Sequence, residues 1–125
     1  YWRIPAIRLA DAHAQGGSAT YMYEFAWQSP EFDGLFGACH GLEIAFVFDT
    51  LDKRFKPFMG PILGTNPPQQ LADEMHAAWV AFATNGDCGW PKYDLSRRAT
   101  MRFDLTSAVV NDPRSAQRVL WEGVR

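Results

Sequence analysis

The spacing of apolar positions changes from segment to segment along this chain, and each spacing predicts a different element. In residues 1–17, Ile7, Ala10 and Ala14 fall on one side of a helix that we expect to stop at a glycine pair. Residues 19–27, ATYMYEFAW, carry aromatic side chains at every second position, which predicts a strand. Since the intervening positions are largely apolar too, we expect both faces of this strand to be covered and the strand to be buried.

The middle of the chain contains the clearest helical pattern, in residues 67–86, which open with two prolines and close with Asn-Gly. One apolar stripe runs along it, formed by Leu71, Met75, Ala78, Trp79 and Phe82. Residues 44–51, IAFVFDTL, have strand-forming residue types but are short enough for a buried helix, and spacing alone leaves both open. Residues 56–68 are rich in glycine and proline, which predicts turns. In the loop after the long helix, we expect Trp90 and Tyr93 to anchor the packing.

The end of the chain predicts two short strands, at residues 100–105 and 107–112, and a closing helix over residues 113–123. We expect Val119 and Leu120 to face inward from that helix. No repeat, low-complexity stretch or linker separates these segments. The pattern therefore predicts a single domain of mixed α and β structure.

Composition supports a folded domain covering residues 1–125 and excludes several partners. Apolar residues make up 47% and aromatic residues 14% of the 125 positions, enough to build a core. The formal net charge of −2 provides no basic face, so we expect no nucleic acid partner. No apolar run reaches the roughly 18 residues of a membrane span, so we expect no membrane partner. The chain starts at Tyr1 rather than Met, and we expect it to be part of a longer protein.

The two cysteines, Cys39 and Cys88, are too few for a disulfide framework, and we expect both to be free thiols. That expectation favours a cytoplasmic location. Adjacent side chains such as Cys39 and His40 do not easily face one ion, and Cys88 has no C-x-x-C or H-x-x-x-H partner. We therefore expect no metal and no cofactor.

The segment GACHGLEIAFVF, residues 37–48, contains the most informative of the three histidines. His40 lies between two glycines, ahead of an apolar run. A histidine on such a rigid turn is well placed for acid–base chemistry, although its residue type fits a packed structural role equally well. For His13 and His76 we expect solvated or locally hydrogen-bonded rings.

Residue types alone supply no nucleophile for this histidine. None of the five serines lies in G-x-S-x-G, and the closest approach, around Ser18, lacks the closing glycine and precedes a strand. A Cys39 nucleophile with a remote base is conceivable, but neighbouring side chains at a turn diverge, so we expect a small buried thiol. Glu43 follows His40 too closely to be a triad acid, and we expect it to hold the histidine loop through hydrogen bonds to the backbone.

The same segment resembles the catalytic-histidine segment of type B carboxylesterases, the cholinesterase-like branch of the α/β-hydrolases, whose pattern is roughly G-A-x-H-G-x-E-L-P-F-V-F. The matching positions are Gly37, Ala38, His40, Gly41, Glu43, Phe46, Val47 and Phe48. Residues 4–13 and 20–27 resemble the helix and strand that precede the histidine, and residues 79–87 resemble the W-x-x-F-A-x-x-G-D end of a later helix. The final residues look like the tail of bacterial members, so the resemblance covers the whole chain in order.

The resemblance implies the C-terminal part of an α/β-hydrolase fold, with one buried strand, two short C-terminal strands and flanking helices. It implies a short helix for IAFVF, although Ile44-Ala45 replaces the family's Leu-Pro. His40 falls on the triad base, which takes a proton from the serine and later gives one to the leaving alcohol. Glu43 and Gly41 fall on supporting positions beside it, and Leu42 becomes a candidate for lining the substrate pocket.

In that family the serine, the oxyanion loop and the triad acid precede the histidine, so they would lie in a portion before Tyr1. The expected function is hydrolysis of a small-molecule carboxylic ester by the complete enzyme, with this chain inactive on its own. The alternative is a non-catalytic cholinesterase-like interaction domain, against which the retained His40 counts. The expected partners are the N-terminal part of the same enzyme and, for the isolated chain, a second copy. The identity of the ester is not encoded in this segment.

Overall fold

The computed structural model describes residues 2–52 and 56–124. Those ranges contain five α-helices: α1 (Arg3–Gln15), α2 (Ile44–Val47), α3 (Lys56–Leu63), α4 (Gln69–Asn85) and α5 (Ser115–Val119). They also contain three strands: β1 (Met22–Phe25), β2 (Ala99–Phe103) and β3 (Ala108–Asn111). A short 3₁₀ turn covers Glu31–Gly34. Within the described ranges, no helix is long and apolar enough to cross a membrane.

The three strands form one small sheet in the order β1-β2-β3. Only residues 104–107 join β2 to β3, and so short a connection makes the pair antiparallel. The Ala26 N–H, just past the end of β1, donates to the carbonyl of Phe103, the last residue of β2, at 2.8 Å. The ends of β1 and β2 therefore lie together, so these two strands run parallel. A mixed sheet with flanking helices agrees with the predicted fold class.

The first strand differs in detail from the buried strand that the sequence predicts. Its four residues are all half-buried, and full burial begins just beyond it at Ala26 and Trp27. Among the described residues, β1 lies at the edge of the sheet with β2 on one side. An edge strand is covered less completely than an interior one, which accounts for the difference.

The chain divides into two compact units, and each strand contributes residues to both. Unit 1 comprises Tyr1–Tyr23, Trp90–Met101 and Val109–Arg125, and unit 2 comprises Glu24–Gly89 and Arg102–Ala108. The prediction of one domain for residues 1–125 stays a prediction.

Unit 1 is held together by polar contacts around α1. Asp11 accepts a hydrogen bond from the Tyr93 hydroxyl at 2.7 Å and pairs with Arg98 at 3.3 Å. Tyr93 and Trp90 are both buried, which confirms them as packing anchors. Burial, and then Asp11, raise the pKa of the Tyr93 hydroxyl, so this hydroxyl keeps its proton and the hydrogen bond.

The prediction that Val119 and Leu120 face inward from the closing helix is wrong. Val119 is 50% exposed and Leu120 is 76% exposed. The helix α5 is only five residues long, and Arg118 holds it through a 2.8 Å ion pair with Asp112. Polar anchoring of so short a helix leaves its apolar side chains at the surface.

Unit 2 contains the main apolar core, built by α4 against α2. The core side of α4 consists of Leu71, Ala72, Met75 and Ala78, all buried. Gly86, with φ of +70°, ends the helix in the left-handed conformation that glycine adopts without strain, as predicted. The predicted stripe fails at its C-terminal end, where Phe82 is 45% exposed because the last turns of α4 extend beyond the buried part of the helix.

Between the histidine segment and α4, the structure decides one element that the apolar spacing left open and corrects one prediction. Residues 44–47 form the helix α2, so the strand propensity of IAFVFDTL was misleading and the family resemblance was right. Residues 56–63 form the helix α3 instead of turns, with Pro61 inside it. A proline removes one backbone donor from a helix, and α3 forms despite that loss.

Candidate active-site histidine

His40 lies at the tip of a tight turn whose geometry depends on glycine. The Leu42 N–H donates to the Cys39 carbonyl at 3.2 Å, so His40 and Gly41 are the two central residues. Gly41 has φ of +81°. A positive φ at the second central position is the mark of a type II turn, which glycine satisfies without strain. The glycine after the histidine is therefore a requirement of the backbone.

His40 is exposed in this turn, and the turn is anchored at its C-terminal end. His40 is exposed and Cys39 is half-buried. Leu42 is completely buried in the core of unit 2, as are Ala45 and Phe46 of α2. The turn is thus pinned to the core two residues after the histidine, which restricts how far the imidazole can move.

Leu42, the candidate for lining a substrate pocket, has 0% exposure and lies in the core of unit 2. The short helix α2 begins two residues after it. A role for Leu42 in lining a pocket of the complete enzyme stays a prediction.

Glu43 supports the turn through its main chain. Its carbonyl accepts hydrogen bonds from Phe46 at 3.0 Å and Val47 at 2.9 Å, which form the first turn of α2. Its carboxylate makes no capping hydrogen bond to that helix, so the expected side-chain tether to the backbone is not seen there. A supporting role for the Glu43 side chain beside His40 stays a prediction.

The stretch before the histidine is fixed by hydrogen bonds that the sequence did not predict. The Gly37 N–H donates to Gly34 at 3.0 Å, and the Gly37 carbonyl accepts from the Ser29 N–H at 3.2 Å. Ser29 itself is 1% exposed. The burial of Ser29 is not visible in the sequence. The one sequence signal is the Ser29-Pro30 dipeptide, which favours the start of a turn and marks the beginning of this loop.

The remaining histidines are engaged in local hydrogen bonds, as predicted. The Nδ1 atom of His13 lies 2.8 Å from the Thr20 hydroxyl, and Nδ1 of His76 donates to the Val47 carbonyl at 2.9 Å. In the ranges that the structure covers, no three His, Cys, Asp or Glu residues are grouped to hold a metal ion.

Neither cysteine is bridged. Burial, with a smaller effect of Asp87, raises the pKa of the buried Cys88 thiol, which disfavours a thiolate.

Three serine hydroxyls have defined partners. The Ser29 hydroxyl donates to the Ile62 carbonyl. The Ser96 hydroxyl donates to the Asp94 carboxylate, and the Ser107 hydroxyl donates to the Glu74 carboxylate. These serines therefore have structural partners.

His40 is thus an exposed histidine on a glycine turn, and the short buried helix α2 follows it. The sequence matches the carboxylesterase family over residues 1–121, and the chain belongs to that family.

Particular relatives support the same assignment. The chain is 32% identical to the para-nitrobenzyl esterase of Bacillus subtilis over 94% of its length and 24% of that enzyme. It is 38% identical to the phenmedipham hydrolase of Pseudarthrobacter oxydans over 70% of its length and 17% of that protein. Its fold matches a carboxylesterase of Geobacillus stearothermophilus with a TM-score of 0.75 and 36% identity, covering 92% of the chain and 24% of that structure. The chain therefore spans about a quarter of the length of these relatives or less.

Proposed function

We propose that this chain is the C-terminal region of a serine carboxylic-ester hydrolase and that His40 is its general base and general acid. In the proposed reaction His40 takes the proton of a serine hydroxyl as the serine attacks the ester carbonyl. It then returns a proton to the leaving alcohol, and the acyl-enzyme is hydrolysed by water through the same two proton transfers. The serine, the oxyanion donors and the triad acid belong to the portion of the enzyme that precedes this chain.

The setting of His40 is the observation that carries the proposal. Acid–base catalysis requires an imidazole held within about 2.6–3.2 Å of the proton that it transfers. His40, in the turn from Cys39 to Leu42, is exposed, and the buried Leu42 anchors the turn just after it. An exposed histidine on an anchored turn combines access to a nucleophile with a restricted backbone position.

The family and the names of the relatives support a carboxylic ester as the proposed substrate class. A small carboxylic ester with an aromatic leaving group is the natural probe, because one relative is named as a para-nitrobenzyl esterase. The other candidate, a non-catalytic interaction domain, requires no acid–base residue, so the retained His40 counts against it.

The test compares the 125-residue chain with the complete protein from the same gene, using p-nitrophenyl acetate and p-nitrobenzyl acetate. The complete protein should hydrolyse both esters. The chain alone should not exceed the rate of free imidazole, since removing even one oxyanion donor costs about 10²–10³ in rate and here all are missing.

Two results would contradict the proposal. One is strong esterase activity of the isolated chain that disappears when one of its own serines is replaced. The other is an inactive complete protein that remains correctly folded, which would favour the interaction domain.

A further inference from the structure

Ser29 stands out in unit 2 because its side chain is polar and almost completely buried. Within the described part of that unit it is the one polar residue with less than a tenth of its surface exposed, and its value is 1%. A buried hydroxyl is costly unless its hydrogen bonds are satisfied, so its partners indicate what the residue does.

The Ser29 side chain makes two hydrogen bonds inside unit 2. Its hydroxyl donates to the carbonyl of Ile62, in the last turn of α3. Its oxygen accepts a hydrogen bond from the Glu31 N–H at 3.1 Å. The hydroxyl therefore links the start of the loop before the histidine to the end of a helix.

The end of α3 needs such a partner. The last four carbonyls of a helix have no donor within the helix, so they require donors from elsewhere. The Gly60 carbonyl accepts from the Gly64 N–H at 3.1 Å, and Ser29 supplies a donor for Ile62. Directly beside this cap, the Glu31 side chain lies against Gly64, where a Cβ would be only 2.6 Å from Oε1 of Glu31.

The same residue also holds the segment that leads to His40. The Ser29 N–H donates to the Gly37 carbonyl at 3.2 Å, three residues before the histidine. Through its main chain and side chain together, Ser29 connects the histidine loop to α3. On the other side of the turn, Leu42 provides the second anchor.

We propose that Ser29 is a positioning residue that sets the location of His40 for proton transfer, an inference that rests on the proposed function. Its hydroxyl is committed to the Ile62 carbonyl and is buried, so it does not act on the substrate itself. Its effect passes through the backbone of the loop. Catalysis is sensitive to such positioning, because a displacement of about 1 Å can cost roughly 10²-fold in rate.

The experiment measures kcat and KM of the complete enzyme for p-nitrophenyl acetate, in the parent, Ser29→Ala and Thr100→Val. Thr100 is a matched control, since it is also a buried residue (5% exposed) and its hydroxyl donates to a backbone carbonyl, that of Arg98, at 3.0 Å. Assays run below the unfolding temperature of every variant. Ser29→Ala should lower kcat about 10- to 100-fold and leave KM within about twofold, because proton transfer is affected more than ester binding. Thr100→Val should keep the parent kcat.

The outcomes separate this inference from the proposed function. If the parent hydrolyses the ester and His40→Ala abolishes turnover, but Ser29→Ala keeps the parent kcat, the positioning role is wrong. The positioning role is also wrong if Thr100→Val loses as much kcat as Ser29→Ala, because the effect is then a general loss of stability. A parent without esterase activity, or a fully active His40→Ala enzyme, overturns the proposed function and this inference with it. If Ser29→Ala does not fold, Ser29→Cys, which keeps a weak donor of similar size, replaces it in the same comparison.

Discussion

At the scale of single residues, the backbone around His40 explains more than the side chains do. The turn requires a positive φ at Gly41, and the next residue, Leu42, inserts into the core. These two neighbours determine where the imidazole is presented. The carboxylate of Glu43, which looks like a partner in the sequence, makes no cap to the helix that follows.

Gly41→Ala tests the requirement for glycine. A Cβ at this position would meet Ile44 Cδ1 at 3.8 Å, an ordinary contact, so the cost comes from the backbone conformation. An L-residue in the left-handed region costs about 1–2 kcal/mol. We expect thermal unfolding of the complete enzyme to show a loss of that order and kcat to fall because the turn shifts.

Gly86→Ala is the matched control for that experiment. Gly86 has φ of +70° and open space around its Cβ position, so the replacement has a similar backbone cost at the end of α4. It should reduce stability without reducing kcat below the unfolding temperature. Equal losses of kcat in both variants would show that Gly41 has no specific role in presenting His40.

The sequence singles out His40 as a candidate, through the family resemblance, and misses Ser29 for a physical reason. The histidine lies in a contiguous motif, so local residue order is enough to find it. The role of Ser29 depends on Ile62, 33 positions away, and on a helix that residue types conceal. Contacts that exist only after folding leave no local pattern.

At the scale of elements, prediction succeeds for long elements, in which the apolar spacing repeats several times, and fails for short ones. The helices α1 and α4 span 13 and 17 residues, and their apolar spacing and terminal glycines predict both. The helix α2 has four residues, too few for a period to distinguish helix from strand. In α3, Gly60 and Pro61 suggest turns, but residues 56–63 are helical, and the Ser29 hydroxyl, from outside the helix, donates to the Ile62 carbonyl in its last turn.

The pair between Arg118 and Asp112 predicts a dependence of stability on pH. Hydrogen bonding from Arg118, joined by its charge, holds the pKa of Asp112 below its usual value of about 3.9. A carboxyl with a lowered folded-state pKa stabilises the protein fully above its unfolded-state pKa. That contribution is lost as the pH falls through the folded-state pKa, which lies below about 3.9.

Asp112→Asn should therefore weaken the acid sensitivity of the chain. We expect the melting temperature of the parent to fall more than that of Asp112→Asn between about pH 5 and pH 3. The difference should be small, since a partly exposed pair contributes on the order of 1 kcal/mol or less. Glu122→Gln is the control, because Glu122 contacts the same arginine at 2.7 Å but is 63% exposed. If both variants match the parent at every pH, the Arg118 pair has no such role.

At the scale of the whole molecule, the chain exposes surfaces that single domains normally cover. An apolar cleft of about 440 Å³ lies between α2 and α4, where Phe48 is 65% exposed and Phe82 is 45% exposed. Among the described residues, β1 has a neighbouring strand on one side only. Open strand edges and large apolar patches both favour association.

We therefore expect the isolated chain to associate with itself. Sedimentation velocity between micromolar and submillimolar concentrations should show a shift from smaller to larger species as the concentration rises. The Ala26 N–H donates toward β2, and backbone N–H groups alternate sides along a strand, so the Tyr23 N–H is directed to the open edge. Pairing through that edge predicts that Tyr23→Pro, which removes this donor, reduces the association. A single monomeric species at all concentrations would contradict the expectation.

The central claim is that His40 performs the proton transfers of ester hydrolysis, and the most direct measurement is kcat of the complete enzyme carrying His40→Ala. Since His40 is exposed at the tip of its turn, its removal should leave the melting temperature close to that of the parent. We predict that kcat for p-nitrophenyl acetate falls by about 10⁴-fold or more, because the serine loses its base. A folded His40→Ala enzyme whose kcat stays within about tenfold of the parent would contradict this claim.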